Sequence, residues 1–354
     1  MLDVLSTTTA DYRSRYDDGA VTLWGSGAAI LLVTFVLFMT GSRWTAVPFF
    51  AFVALATVGW YTYQPETARG LTFLATILTV TILGLIIAFI FLEAIPAFQT
   101  MGLDLLTKTD KPLWGSGTYS LTPMIFGTLV TTTIATFVSA PLGIAGALFL
   151  SEIAPGTVRE FVKPGIEMMA GIPSITYGFI GFVVINDYFY SELSTPTIGN
   201  LFTVGVMIGI MALPTIVTVA EDALSTVPES MKSGSLAMGS TDWQTMKSVT
   251  IPAAFSGVSA AVILGVGRAM GETMAATVMI THNKSGFPTP LYDVFGSHGE
   301  TLTTVIAFEA GNASGVHLSA LFAGGVILFI TVFVMSVGAQ YIESRMKEKL
   351  GGAR

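Results

Sequence analysis

Cysteine is absent from all 354 residues, which excludes disulfides, thiol nucleophiles and thiolate metal sites and leaves the redox compartment unmarked. Charge is scarce: Asp, Glu, Lys and Arg together make up 11% of the chain, with 16 cations against 23 acids and a net charge of −7. That balance excludes a basic nucleic-acid footprint, and it excludes electrostatic docking on anionic lipid as the main anchor. Histidine is rare too. His282, His298 and His317 lie in or beside one connection at spacings with no metal-ligand logic, so no metal or other cofactor is expected. The chain contains no Gly-x4-Gly-Lys-Ser/Thr loop, no His-Glu-x-x-His pair and no Gly-x-Ser-x-Gly elbow, which removes the familiar routes to nucleotide hydrolysis, zinc proteolysis and acyl transfer. No catalytic residue is assigned.

What is present is hydrocarbon: 52% of residues are hydrophobic and the mean hydropathy is +0.72. A helix crosses a bilayer with roughly 20 mostly apolar residues. Eight such stretches are predicted, near 24–41, 45–62, 71–94, 121–149, 166–186, 201–220, 256–281 and 317–343. The fold class expected is therefore an all-α polytopic bundle in the lipid bilayer. Residues 1–23 are polar, so the chain is not expected to start with a cleavable signal. The longest connections, 221–255 and 283–316, run to about 35 residues, short of the roughly 40 a segment needs to fold alone, so no soluble catalytic domain fits. With the N-terminus inside, eleven cations fall on the inner side (Arg13, Arg15, Arg69, Arg159, Lys163, Lys232, Lys247, Arg345, Lys347, Lys349 and Arg354) and four outside (Arg43, Lys108, Lys111 and Lys284). The excess predicts both termini in the cytoplasm.

The sixteenth cation, Arg268, falls within the seventh span, where a charge must face protein or water. Glu272 follows at i+4, so on a continuous helix the two side chains share a face and can pair. Spacing alone leaves two readings open: a pair that neutralises itself, or a guanidinium fork placed for a tetrahedral oxyanion. Gly267 and Gly271, like Gly205 and Gly209 in the sixth span, are spaced for close helix packing.

The inner connection 221–255 carries the second signal. Pro228 can open a short helix with Met231, Leu236 and Met238 on its apolar side, and Gly239 can end it. Trp243, Met246 and Val249 then begin a second short helix that stops before Pro252. Such a loop is either local packing or a knob for a partner protein.

This loop resembles the cytoplasmic coupling loop of binding-protein-dependent ABC importers, whose pattern is Glu-Ala-Ala, three residues, Gly, nine residues, Ile, one residue, Leu-Pro. Gly239 holds the glycine, and Val249, Ile251 and Pro252 hold the end of the pattern. Ser233, Gly234 and Ser235 stand in place of Glu-Ala-Ala, so the acidic residue is missing. Within that superfamily the chain resembles the PstC family of phosphate-importer permeases. The resemblance lies in Leu92-Glu93-Ala94-Ile95-Pro96-Ala97-Phe98, in Pro141-Leu142-Gly143-Ile144 running to Leu150-Ser151-Glu152-Ile153-Ala154-Pro155, in Ala170-Gly171-Ile172-Pro173-Ser174-Ile175-Thr176-Tyr177-Gly178, and in Gly267-Arg268-Ala269-Met270-Gly271-Glu272-Thr273-Met274-Ala275.

The resemblance implies a six-helix type I (MetI-like) importer core over 70–354, preceded by an N-terminal tail and an extra hairpin over 1–69. It implies that Arg268 and Glu272 lie on the anion pathway, and that the break at Gly171 and Pro173 either kinks the fifth span or lines a cavity with Ser174 and Thr176. The implied partners are a PstA-like second permease, two copies of a PstB-like ATP-binding subunit and an extracellular PstS-like phosphate-binding protein. Rival expectations are a permease for phosphonate, sulfate or molybdate, and a secondary transporter or channel in which Arg268 and Glu272 relay an ion.

Overall fold

The computed structural model describes residues 18–349 except Ser116, Ser285, Pro288, Thr289, Ser297 and His298. The tail cations Arg13, Arg15 and Arg354 and the candidate His298 lie outside the described residues. Two compact units divide the chain, Met1–Ala88 and Phe89–Arg354.

The described part of the first unit is a helical hairpin followed by the start of a long helix. Helices α1 (Asp18–Met39) and α2 (Ala46–Thr62) are joined by a turn at Gly41, whose φ of +65° suits a residue without Cβ, and α3 is Gln64–Met101. Leu32, Phe35, Phe38, Phe50 and Tyr61 are exposed. A helix apolar all round, with its side chains turned outward, matches lipid as its solvent.

The second unit is built on α4 (Thr122–Leu148), α7 (Leu201–Ser225) and the rod ending in α10 (Ile251–Met270). Between them come α5 (Gly156–Gly171) and α6 (Ser174–Ile180), α8 (Glu229–Ala237) and the single turn α9 (Asp242–Thr245). After α10 follow α11 (Met274–Met279), α12 (Leu302–Glu309) and α13 (Val316–Lys349), and a two-residue hairpin pairs β1 (Trp114–Gly115) with β2 (Thr118–Tyr119). Seven helices are long and apolar enough to cross a membrane among the described residues, and an eighth span is formed if α5 and the helix Ser174–Glu192 count as one broken element bent by 93°.

Helix α7 is central. Asn200 caps it, its Oδ1 accepting from Thr203 N at 3.0 Å. Gly205 and Gly209 bring its backbone against α4: a Cβ at Gly209 would lie 2.9 Å from Ala135 O. Farther along, Ile216 is fully buried and fits against Gly143 of α4, where a Cβ would come within 2.6 Å of its Cγ2, and against Gly265 of α10 on its other side. Three small cores result, with Leu201, Met207 and Met279 in one, Leu121, Leu302 and Val326 in the second, and Ala147, Ile216 and Val258 in the third. Pro96 removes a donor from α3 and disturbs its ladder. Ser319 of α13 repairs it, its hydroxyl accepting from Ala97 N at 3.0 Å and donating to Glu93 O at 2.6 Å.

Two expected elements come out differently. The second short helix of the 221–255 connection does not stop before Pro252; it runs from Asp242 to Met270 as one rod. A π-helical turn, Met246–Thr250, shifts the hydrogen-bond register, so that Pro252 falls in the first turn of α10, where a missing N–H costs nothing. The seventh span, expected over 256–281, breaks after Met270 and resumes at Met274.

Candidate translocation site and coupling loop

The break after α10 separates the two ionisable residues. Arg268 sits in the last turn of α10, where the carbonyl end of the helix dipole favours a cation. Gly271 closes the helix, and Glu272 lies beyond it. The pair that i+4 spacing allows is not formed, because that spacing makes neighbours only on a continuous helix. Arg268 Nη1 instead donates to Thr215 Oγ1 of α7 at 3.2 Å, and its side chain is exposed. Glu272 turns back to cap the next helix, its Oε1 accepting from Ala275 N at 3.1 Å. Its backbone carbonyl accepts from Thr303 Oγ1 at 3.0 Å, tying the break to α12.

The break in the fifth span is real and sharp. Gly171 ends α5, Ile172 and Pro173 are extended, and Ser174 opens α6. Ser174 is half-buried and Thr176 exposed. Tyr177 folds its hydroxyl back to donate to Met169 O at 2.9 Å across the bend. Gly178 then packs on Ala275, where a Cβ would meet its Cα at 2.7 Å. The segment carrying Ser174 and Thr176 is thus brought against the segment that begins at Glu272. Gly267 meets nothing within 4 Å of a Cβ position and Gly271 only its own helix, so the helix-packing reading holds within this chain for Gly205 and Gly209 alone.

Near the far end of α11 lies a buried polar cluster that spacing did not reveal. His282 stands at φ +53°, a conformation uncommon for a residue with a side chain. Its Nδ1 is 3.1 Å from Glu300 Oε2 and its Nε2 is 3.0 Å from Thr277 O. Both partners are acceptors, so the ring satisfies both only as imidazolium. Burial works against that charge, but the hydrogen bond and charge of Glu300 outweigh it and raise the His282 pKa above its ordinary value. Glu309 binds Lys284 and accepts from Trp114 Nε1, and His317 Nε2 lies 2.9 Å away. Burial would raise the Glu309 carboxyl, but the hydrogen bond and charge of Lys284 hold it below the usual carboxylate range. Among the described residues no group of three or more acidic, His or Cys side chains is placed to hold a metal.

The 221–255 connection forms α8, then a turn at Gly239 with φ +89°, then the rod from Asp242. Ser233 and Gly234 are exposed on α8, whereas Ser235 is buried and accepts from Thr245 Oγ1 at 3.0 Å. Met238 and Trp243 project outward, and Val249, Ile251 and Pro252 are half-buried where the rod leaves the loop. Lys232 of α8 pairs with Glu152 at the end of α4, Nζ to Oε1 2.7 Å, and Lys163 of α5 pairs with Glu221 of α7 at 2.5 Å. Neither Thr215 nor the partners of Lys232 and Lys163 could be found from the sequence: each lies more than fifty residues from its partner, and nothing periodic connects them.

Residues 139–348 match the family described as the binding-protein-dependent transport system inner membrane component. A probable ABC transporter permease, YqgH of Bacillus subtilis, is 34% identical over 79% of this chain and 89% of its own length. The phosphate transport system permease PstC of Mesorhizobium japonicum is 31% identical over 84% of this chain and 95% of its own. In fold, the chain is similar to the solved MetNI methionine ABC transporter (TM-score 0.51, 19% identity, 64% of this chain and 95% of that one). It is also similar to a bacterial alginate ABC transporter (TM-score 0.56, 15% identity, 80% and 98%).

Proposed function

The chain belongs to the binding-protein-dependent transport inner membrane component family, and from that premise we propose that it is the permease subunit of an ATP-driven importer of inorganic phosphate. Membership makes it a non-catalytic, multi-pass membrane component of an ABC importer that works with an ATPase and a substrate-binding protein. The fold is that of MetI-type importer permeases.

The substrate is the finer step, and Arg268 carries it. The residue is an exposed guanidinium beside a break in a membrane-spanning rod, bonded to one neutral hydroxyl. A guanidinium offers five N–H donors in a planar fork, which suits two oxygens of a tetrahedral anion. The similarity to PstC of Mesorhizobium japonicum supports phosphate in particular. Glu272, Ser174 and Thr176 complete the proposed pathway. Glu272 fixes the backbone of the break, and the hydroxyls of the α6 segment supply neutral donors.

In this reading a PstA-like permease encloses the pathway from the other side, and a PstS-like protein delivers phosphate from outside. Two PstB-like ATPase subunits press on the coupling loops, here Ser233, Gly234, Ser235, Gly239, Val249, Ile251 and Pro252. The permease domain occupies 70–354, the hairpin within 1–69 is an addition to it, and both termini face the cytoplasm. Transport follows alternating access, with the anion meeting Arg268 more strongly in one state than in the other. The test is phosphate uptake by reconstituted complexes: Arg268→Gln loses uptake while the complex still assembles, and normal uptake by that variant would refute the assigned role.

A further inference from the structure

We propose that the Lys232–Glu152 ion pair is the link by which the 221–255 loop moves α4, and through α4 the part of α7 that holds Arg268. This rests on the reading that the loop receives the ATPase stroke. Lys232 and Glu152 are 80 residues apart in sequence and meet at 2.7 Å, with side chains 14% and 10% exposed. Two half-buried charges lose part of their hydration, and an apolar pair of similar volume can hold a fold about as well. What the pair adds is a directional tie between two elements.

Both ends of the tie are stiffened. Glu152 lies in a π-helical turn, Phe149–Ile153, that continues α4. Ser151 Oγ donates to Glu152 Oε1 at 2.8 Å, and the Arg159 guanidinium donates to the carbonyls of Leu150 and Ser151, so the turn's own acceptors are engaged. On the other side, α8 is fixed to the start of the rod by Thr245 Oγ1 donating to buried Ser235. The loop therefore grips two membrane-spanning elements, α4 by charge and the α10 rod by hydroxyls, each beside a π-turn. Such turns are local departures from α-helical register and recur at functional positions. A cavity of about 610 Å³, lined by Ser151, Glu152, Lys232, Trp243 and Met246 among others, lies beside the pair and leaves it room to shift.

From Glu152 the mechanical path is short. Gly143 of α4 seats Ile216 of α7, with Gly265 of α10 on the other side. The residue before Ile216 is Thr215, the acceptor of Arg268. A displacement of the inner half of α4 thus bears on Ile216 and changes the setting of Thr215 against Arg268. Packed elements of this kind transmit in steps rather than by smooth deformation.

The absence of cysteine makes the test direct. Thr133→Cys on the exposed face of α4 gives this chain a single thiol, and its labelling rate, read on this subunit's own band, reports movement of that helix in the complete transporter, with ATP hydrolysis followed in parallel. The wild-type background should show an ATP-dependent change in rate. Glu152→Gln and Lys232→Met should lose that change while ATP hydrolysis continues, and the double exchange Glu152→Lys with Lys232→Glu should restore it. The proposal is overturned if either single variant responds as the wild type does. It is equally overturned if hydrolysis and response vanish together, which is the signature of a clasp that only holds the loop to the ATPase, or if the double exchange hydrolyses ATP but stays silent. Phosphate uptake by the same vesicles tests the substrate reading alone; its absence with the labelling response intact would remove phosphate and leave the link standing.

Discussion

An exposed guanidinium in the last turn of a membrane-spanning rod that donates to one neutral hydroxyl keeps further N–H donors to offer. The carbonyl end of α10 favours its charge. Its remaining donors can meet water or an anion, which fits the proposed pathway better than a structural pair. Thr215→Val should therefore leave the fold intact and lower phosphate uptake, because it frees the guanidinium from the position in which α7 holds it; uptake equal to wild type would show that Thr215 has no part in presenting the charge. At the far end of α11, His282 makes a prediction about pH. Its folded pKa is raised, so the stability it contributes is fully present below its ordinary value of 6.5 and is lost as pH rises through the raised value. The unfolding temperature of the purified protein should fall over that alkaline interval, and Glu300→Gln should flatten the fall. Of these residues Arg268 was legible as the one cation inside a span, whereas Thr215 and Glu300 were not, because a hydroxyl or a carboxylate becomes informative only when its distant partner is known.

At the scale of elements, the apolar runs were legible because a bilayer imposes length and composition on each helix separately. The bend at Ile172 and Pro173 was legible too, since Gly and Pro punctuate the backbone. The break at 271–273 was hidden inside an apolar stretch whose glycines, Gly265, Gly267 and Gly271 among them, do not reveal which one ends the helix, and Pro252 was misleading because a π-turn absorbs it. Neither effect has a local sequence signature. Helix contacts give a sharper expectation. Gly265 touches Ile216, so Gly265→Ala should destabilise the protein by about 1–3 kcal/mol, the usual cost of overpacking, with Gly143→Ala acting in the same direction. Gly267→Ala, inside the helix with open space at its Cβ position, should raise thermal stability slightly, by up to about 1 kcal/mol of helix propensity. Equal melting shifts for Gly265 and Gly267 would contradict the packing described.

For the whole molecule, the proposed role requires assembly. The complex should purify with a second permease and an ATPase, and Gly239→Val should release the ATPase, because a β-branched residue is strained at φ +89° and would reshape the end of α8. Retention of the ATPase by that variant would move the docking surface away from 221–255. The central claim, that this permease passes phosphate along a path containing Arg268, is tested most directly by ATP-dependent phosphate uptake into proteoliposomes that hold the complete complex. Wild-type complex should take up phosphate, and Arg268→Gln should lose uptake with the complex still assembled. Undiminished uptake by Arg268→Gln, or accumulation of another oxyanion and not phosphate by the wild type, would contradict it.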